Sequence, residues 1–227
     1  MKPKDLKAGF AFSKRRIILE DGVLHLPTFS DYEGFAFDAR EFFANTHPIC
    51  VEYCSGNGHW LIAQAKKNPL INYIAVEKRF ERVKKIWSKM KNENLSNVLI
   101  VCGFVEDFTK LLKEGQVEEI FVHFPDPYPK NRHRKHRLFK PDFVQEMAHV
   151  IKPRKSVVVV TDDQTYSKTF VNVMLESKQF ISEYEAPFYK TDLDYDFSYF
   201  LDLWKSKDKT ILHFKFKRKE NESLSRP

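Results

Sequence analysis

No stretch of the chain approaches the about 20 uncharged apolar residues that a membrane-spanning helix needs, and residues 1–12 carry lysines where a signal peptide would have an apolar run. A protein with no membrane partner, working in the cytoplasm, is expected. Cysteine is scarce as well. Cys50, Cys54 and Cys102 are odd in number and show no paired CxxC spacing, so neither a disulfide framework nor a zinc site is expected, and the three read as reduced, mostly buried thiols. His59, His123 and His213 stand apart from other ligand types, which leaves no metal-like pattern. Internal repeats and low-complexity linkers are also missing, so nothing divides the chain into an array.

What is present is apolar material enough for one sizeable core: 42% of the 227 residues are hydrophobic, at the upper edge of what one domain holds. The expected organisation is a basic segment with a hairpin over 1–35, a main domain over 36–218 and a loose polar tail over 219–227. The net charge of +7 is unevenly placed. Residues 1–16 carry +5, residues 130–140 carry +6 and residues 205–219 carry +6, which leaves the remainder at −10. A basic surface on an acidic body fits a polyanionic partner, nucleic acid among them.

Around Asp21-Gly22, a dipeptide that tolerates the positive φ of tight hairpin turns, lie Ile17, Ile18, Leu19, Val23, Leu24 and Leu26, which predicts a small hairpin. From Cys50 onward, apolar runs of strand length alternate with amphipathic helical patterns. Strands are expected over 49–53, 73–77, 98–102, 119–124 and 156–161, with helices over 60–67, 80–91, 141–151 and 165–176. Two late runs, 181–185 and 211–216, read as further strands. The alternation predicts an α/β fold with a doubly wound, mostly parallel sheet of seven strands.

After the first of these strands comes Glu52-Tyr53-Cys54-Ser55-Gly56-Asn57-Gly58, which places glycines where a strand turns into a helix and a ligand can approach the backbone. A dinucleotide site would want a small residue three positions after Gly58; Leu61 stands there, and nicotinamide binding is the weaker reading. Glu52 before the loop and Glu77 at the end of the next strand suit a methyltransferase of the Rossmann-like class. A carboxylate at Glu77 can accept both hydrogen bonds of a ribose diol, and Glu52 can meet a cationic methionine end or order the loop. A tight turn with two solvated strand-end glutamates is the plainer alternative.

The most informative stretch is Phe124-Pro125-Asp126-Pro127-Tyr128-Pro129-Lys130-Asn131-Arg132-His133-Arg134-Lys135-His136-Arg137, at the carboxyl end of a strand, where open α/β sheets bind ligands. Three prolines restrict the backbone around Asp126 and Tyr128. Lys130, Arg132, His133, Arg134, Lys135, His136 and Arg137 can clamp phosphates, contacts that position a nucleic acid without selecting a base. On charge alone, the run could equally be a solvated surface.

Taken together, these motifs resemble the bacterial tRNA (guanine-N7-)-methyltransferase family, marked by proline-aspartate-proline-aromatic, then lysine and an Arg/His-rich run. The resemblance covers residues 49–170 and includes Glu52 with its glycine loop, Asn68-Pro69, Glu77, Asp126, Lys130, Arg132 to Arg137, and Thr161-Asp162. It implies a class I methyltransferase fold with helices on both sheet faces, S-adenosylmethionine as methyl donor, no metal, and a guanine in the tRNA variable loop as acceptor. By the same resemblance Glu52, Gly56, Gly58, Glu77 and Asp126 bind the cofactor, Asp126 is catalytic, and Lys130 and Asp162 bind substrate. The chain departs from the family at Cys54, where glycine is usual, at Tyr128, where tryptophan is usual, and at Phe104, where an acid is usual and Glu106 or Asp107 could substitute. The family's threonine-x-x-glutamate substrate motif aligns with Ser198-Tyr199-Phe200-Leu201, which keeps a hydroxyl and loses the carboxylate, with Asp202 near enough to compensate.

Guanine N7 carries an unprotonated lone pair, so no general base is obligatory. The site must align nucleophile, methyl and sulfur and offset the charge that moves to the purine, a task suited to Asp126 with Asp162 assisting. Asp162 or Asp163 could also cap the helix before Thr165. Two other functions stay open: a methyltransferase of this fold acting on another acceptor, and a catalytically silent RNA-binding protein. The chain is expected to act as a monomer or homodimer.

Overall fold

The computed structural model describes residues 1–7, 17–27, 37–191 and 206–220, with the side chains of Arg40 and Asn131 excepted. Ser198 and Asp202 lie outside the described residues. The chain forms two compact units, Met1–Lys113 and Glu114–Pro227.

In the first unit, β1 (Ile18–Glu20) and β2 (Val23–His25) form the hairpin, followed by α1 (Ala39–Phe43), β3 (Ile49–Tyr53), α2 (His59–Lys67), β4 (Asn72–Glu77), α3 (Phe80–Asn92), β5 (Val98–Cys102) and α4 (Val105–Leu111). β3, β4 and β5 pair in parallel in the order β5-β4-β3. Every residue of β3 and β4 is buried, as expected of parallel strands covered on both faces, and this is why their sequences run almost continuously apolar. α3 buries one stripe, Val83, Ile86, Trp87 and Met90, spaced at three and four residues.

The hairpin does not stand apart from this sheet. β2 runs parallel to β5, with Val23 opposite Ile100 and His25 opposite Cys102, and Trp87 of α3 donates its indole N–H to the Asp21 backbone and carboxylate at 3.1 Å each. Nine strands are therefore described where seven were expected. The two additional strands are this hairpin, whose short apolar run on β2 is fully buried once it lies against β5.

The second unit contains β6 (Glu119–His123), a 3-10 turn (Asn131–His136), α5 (Pro141–Val150), β7 (Ser156–Thr161), α6 (Gln164–Glu176), β8 (Phe180–Ser182) and β9 (Leu212–Arg218). β6 and β7 are parallel; β9 is antiparallel to both β7 and β8. Apolar Phe170 of α6 packs edge-on against Phe214 of β9, with ring centroids 4.9 Å apart. Pro141 at the first turn of α5 leaves no backbone donor unsatisfied there, and Asp163 caps α6 by accepting from the Tyr166 N–H at 2.7 Å. That settles which of the two aspartates after β7 is the cap: Asp163 is, and Asp162 is left for other work.

Candidate active site

The loop after β3 is held by backbone conformations that most residues avoid. Cys54, Gly56 and Gly58 all have positive φ, at 58°, 57° and 68°. For the glycines this costs little. Cys54 adopts it with a side chain in place, at a cost of about 1 kcal/mol or more. Gly58 is further constrained by packing: a Cβ there would lie 2.8 Å from Cγ1 of Ile86 on α3.

Glu77, 4% exposed at the end of β4, closes this loop from the side. Its carboxylate accepts from the Gly56 N–H at 3.0 Å and the Arg79 N–H at 2.8 Å, and Arg82 stands 3.6 Å away. Two acceptor directions of the carboxylate remain for a diol. Glu52, 3% exposed, sits at the penultimate position of β3, and its carbonyl accepts from the Ser55 hydroxyl at 2.8 Å. Glu52, Gly56, Gly58 and Glu77, four residues selected from sequence, are thus gathered on one loop and the strand ends beside it.

The surroundings are electrostatically graded. Burial, with the Glu77 charge adding to it, pushes the Cys102 thiol up to about 11, so this cysteine stays neutral and inert. Beyond β5, Phe104 is exposed at the N-cap of α4, with the Lys78 ammonium 5.5 Å from its ring centroid. Glu106 and Asp107 follow in the first turn; burial and then the Glu106 charge raise the Asp107 carboxyl above its ordinary range.

In the second unit, the loop after β6 places a strained aromatic before the first and before the last of its three prolines. Phe124 and Tyr128 have φ of 50° and 42°, and the Phe124 N–H donates to the Val160 carbonyl of β7 at 2.7 Å. Such strain persists only where the surroundings over-determine it, and it fixes Asp126, exposed between Pro125 and Pro127. The turn over Asn131–His136 has three residues per revolution, so positions three apart share a face. Arg132 and Lys135 are exposed on one face; His133 and His136 pair on a second, with centroids 6.5 Å apart.

Arg134 and Arg137 share the third face, and there the two part company. Arg134 is exposed, whereas Arg137 is 8% exposed and turned inward. Its guanidinium donates to the Pro127 carbonyl at 2.8 Å and the Tyr128 carbonyl at 3.4 Å and lies 5.1 Å from the Tyr166 ring centroid. The phosphate clamp expected at this position is occupied instead with the loop's own backbone. Asp162, at the end of β7, is mostly buried and forms an ion pair with Lys209. Lys209, Arg82 and Arg137's inward role were not visible in the sequence. Each depends on a contact between residues brought together by folding, 47 positions apart for Asp162 and Lys209.

Among the described residues no helix is long and apolar enough to cross a membrane, and no group of three His, Cys, Asp or Glu could hold a metal ion.

The family model described as "Putative methyltransferase" matches residues 46–212. Solved structures of similar fold include a mutant form of the 16S rRNA (adenine(1408)-N(1))-methyltransferase from Catenulisporales acidiphilia, with TM-score 0.59 and 17% identity over 82% of this chain and 95% of that one. A second mutant of the same enzyme, solved with its cosubstrate SAM, has TM-score 0.57 and 15% identity over 82% and 94%. The fold is that of the class I methyltransferases. Among curated proteins, the tRNA (guanine-N(7)-)-methyltransferase of Chlamydia abortus is 43% identical over 96% of this chain and 99% of its own, and that of Chlamydia muridarum is 44% identical over 95% and 97%. The chain belongs to the tRNA (guanine-N(7)-)-methyltransferase family.

Proposed function

We propose that the protein transfers a methyl group from S-adenosylmethionine to N7 of a guanine in the tRNA variable loop, giving 7-methylguanosine, and does so in the cytoplasm. The observation that carries this reading is the coexistence, in a chain so similar to enzymes of that name, of a glycine loop closed by buried Glu77 with an exposed basic turn behind Pro125-Asp126-Pro127.

The first unit's loop fits the methyl donor. Positive φ at Cys54, Gly56 and Gly58 sets the tight turn of the loop, Glu77 keeps acceptor capacity for a ribose diol, and Glu52 supplies negative charge for the cationic methionine end. S-adenosylmethionine, when bound, supplies an electrophilic methyl on a sulfonium. Asp126 accepts from the guanine N1 and N2 hydrogens, orients N7 and offsets the positive charge that develops on the purine; it also contacts the cofactor. Asp162 assists, with Lys209 setting the direction of its carboxylate. No proton needs removal from N7, so these carboxylates act by alignment and charge. Lys130, Arg132, His133, Arg134, Lys135 and His136 grip phosphates. Arg137 holds the proline loop in shape, and Ser198 contributes a substrate-binding hydroxyl.

Two measurements on the purified protein test this: calorimetric binding of S-adenosylmethionine, and transfer of its labelled methyl to unmodified tRNA. Binding without transfer to tRNA would point to another acceptor. Absence of cofactor binding would point to a silent RNA-binding protein.

A further inference from the structure

In the last turn of α3, Lys89 reaches the loop after β3. Its ammonium donates to the Asn57 carbonyl at 2.6 Å, between the two glycines, one helical turn beyond the Ile86 side chain that abuts Gly58. Ile86 and Lys89 thus form a single buttress: one fills the space against Gly58, the other pins the adjacent peptide. Resting on the proposed role of residues 52–77 in binding the methyl donor, we infer that Lys89 is a positioning residue, which holds the Cys54–Gly58 loop in its cofactor-binding shape through the Asn57 carbonyl.

A cation is an unusual choice for this task. The Asn57 carbonyl needs one donor, which a neutral side chain could supply, and the lysine is set among other positive groups. Lys85 lies on its own helix and His59 faces it from the start of α2. Burial, then the Lys85 charge, lowers the Lys89 ammonium to about 8; burial, then Lys89 and Lys85, lowers the His59 imidazole as well. The sign follows directly. Below about pH 8 Lys89 is charged and its bond to the carbonyl is charge-assisted, but burial and Lys85 make the ordered loop hold that proton less tightly than a lysine released to solvent does. By linkage, loop order, and with it the Lys89 contribution to cofactor affinity, therefore rises as the buried charge is relieved above about pH 8.

The test is the dissociation constant of S-adenosylmethionine, measured by calorimetry from about pH 6.5 to 9.5 on wild type, Lys89→Met and Lys89→Arg. Because the ligand's own α-amino group titrates at about 7.7–8.0, the differences between profiles are the readout. Lys89→Met is expected to weaken binding about tenfold at pH 7 and by at least as much at pH 9.5, with kcat at saturating cofactor within about twofold of wild type. Lys89→Arg, charged throughout, is expected to keep affinity at pH 7 and to lose affinity more steeply than wild type above about pH 8, because its buried charge is never relieved. Glu77→Ala serves as the control for the loop itself. If Glu77→Ala abolishes binding while Lys89→Met leaves it unchanged, the role given to Lys89 is overturned. Unchanged binding in Glu77→Ala would overturn the placement of the cofactor instead. A Lys89→Arg profile parallel to wild type at every pH would also overturn the inference, even if Lys89→Met proved too unstable to purify.

Discussion

The loops after β3 and after β6 lie at the carboxyl ends of parallel strands, yet they are stiffened by opposite means. The first uses residues that permit rare backbone conformations, Gly56 and Gly58, and then restrains them with charged side chains, Glu77 on one N–H and Lys89 on one carbonyl. The second uses prolines that forbid most conformations and fastens them with one inward arginine. A glycine loop turns tightly and carries no side chain in the way, which suits a small ligand that approaches the peptide groups. A proline loop restricts the backbone that carries its side chains, which suits the proposed grip of Asp126 on a base and of the turn behind it on phosphates.

The sharpest way to break the comparison is at its two anchoring carboxylates. Glu77→Ala removes the partner of the Gly56 N–H and the proposed diol acceptor together, and S-adenosylmethionine affinity measured by calorimetry is expected to fall by about 100-fold or more. Asp126→Asn is expected to lower kcat by about 100-fold with tRNA saturating, because charge compensation is lost while shape is kept. If both variants weakened cofactor binding alike and neither altered turnover, the division of labour between the loops would be wrong.

Next comes the contrast within the basic turn. Arg137→Ala is expected to destabilise the protein by about 1–3 kcal/mol and lower Tm by several degrees, since the Pro127 and Tyr128 carbonyls lose their donor. Arg134→Ala and Lys135→Ala are expected to leave Tm nearly unchanged and to weaken tRNA binding, each reducing the slope of log affinity against log salt by about one. The smallest effect is expected at Cys54→Gly, which relieves a left-handed side-chain-bearing residue and should raise stability by about 0.5–1 kcal/mol.

Much of this contrast could be read before folding. Gly56, Gly58, Glu52 and Glu77 are marked by local rules, because strand length, turn residues and acid spacing are all carried within one strand-helix-strand unit. The prolines around Asp126 are equally local. What could not be read depends on distance or on handedness. The hairpin's parallel seat on β5 pairs Val23 with Ile100, a contact no short window contains. Arg137 looked like its neighbours because nothing in the basic run sets it apart; it lies just past the turn, at its C-cap, and turns inward although Arg134 on the same face is exposed. Lys89 was hidden for a similar reason, lying on α3 with Lys84, Lys85 and Lys91, and nothing local marks it as the lysine that meets the loop.

The most direct test of the account is nucleoside analysis of unmodified tRNA transcripts after incubation with the protein and labelled S-adenosylmethionine. Labelled 7-methylguanosine is expected from a transcript with its variable-loop guanine intact, and none from one in which that guanine is replaced by adenine. Label in any other nucleoside, or 7-methylguanosine from both transcripts, would contradict it.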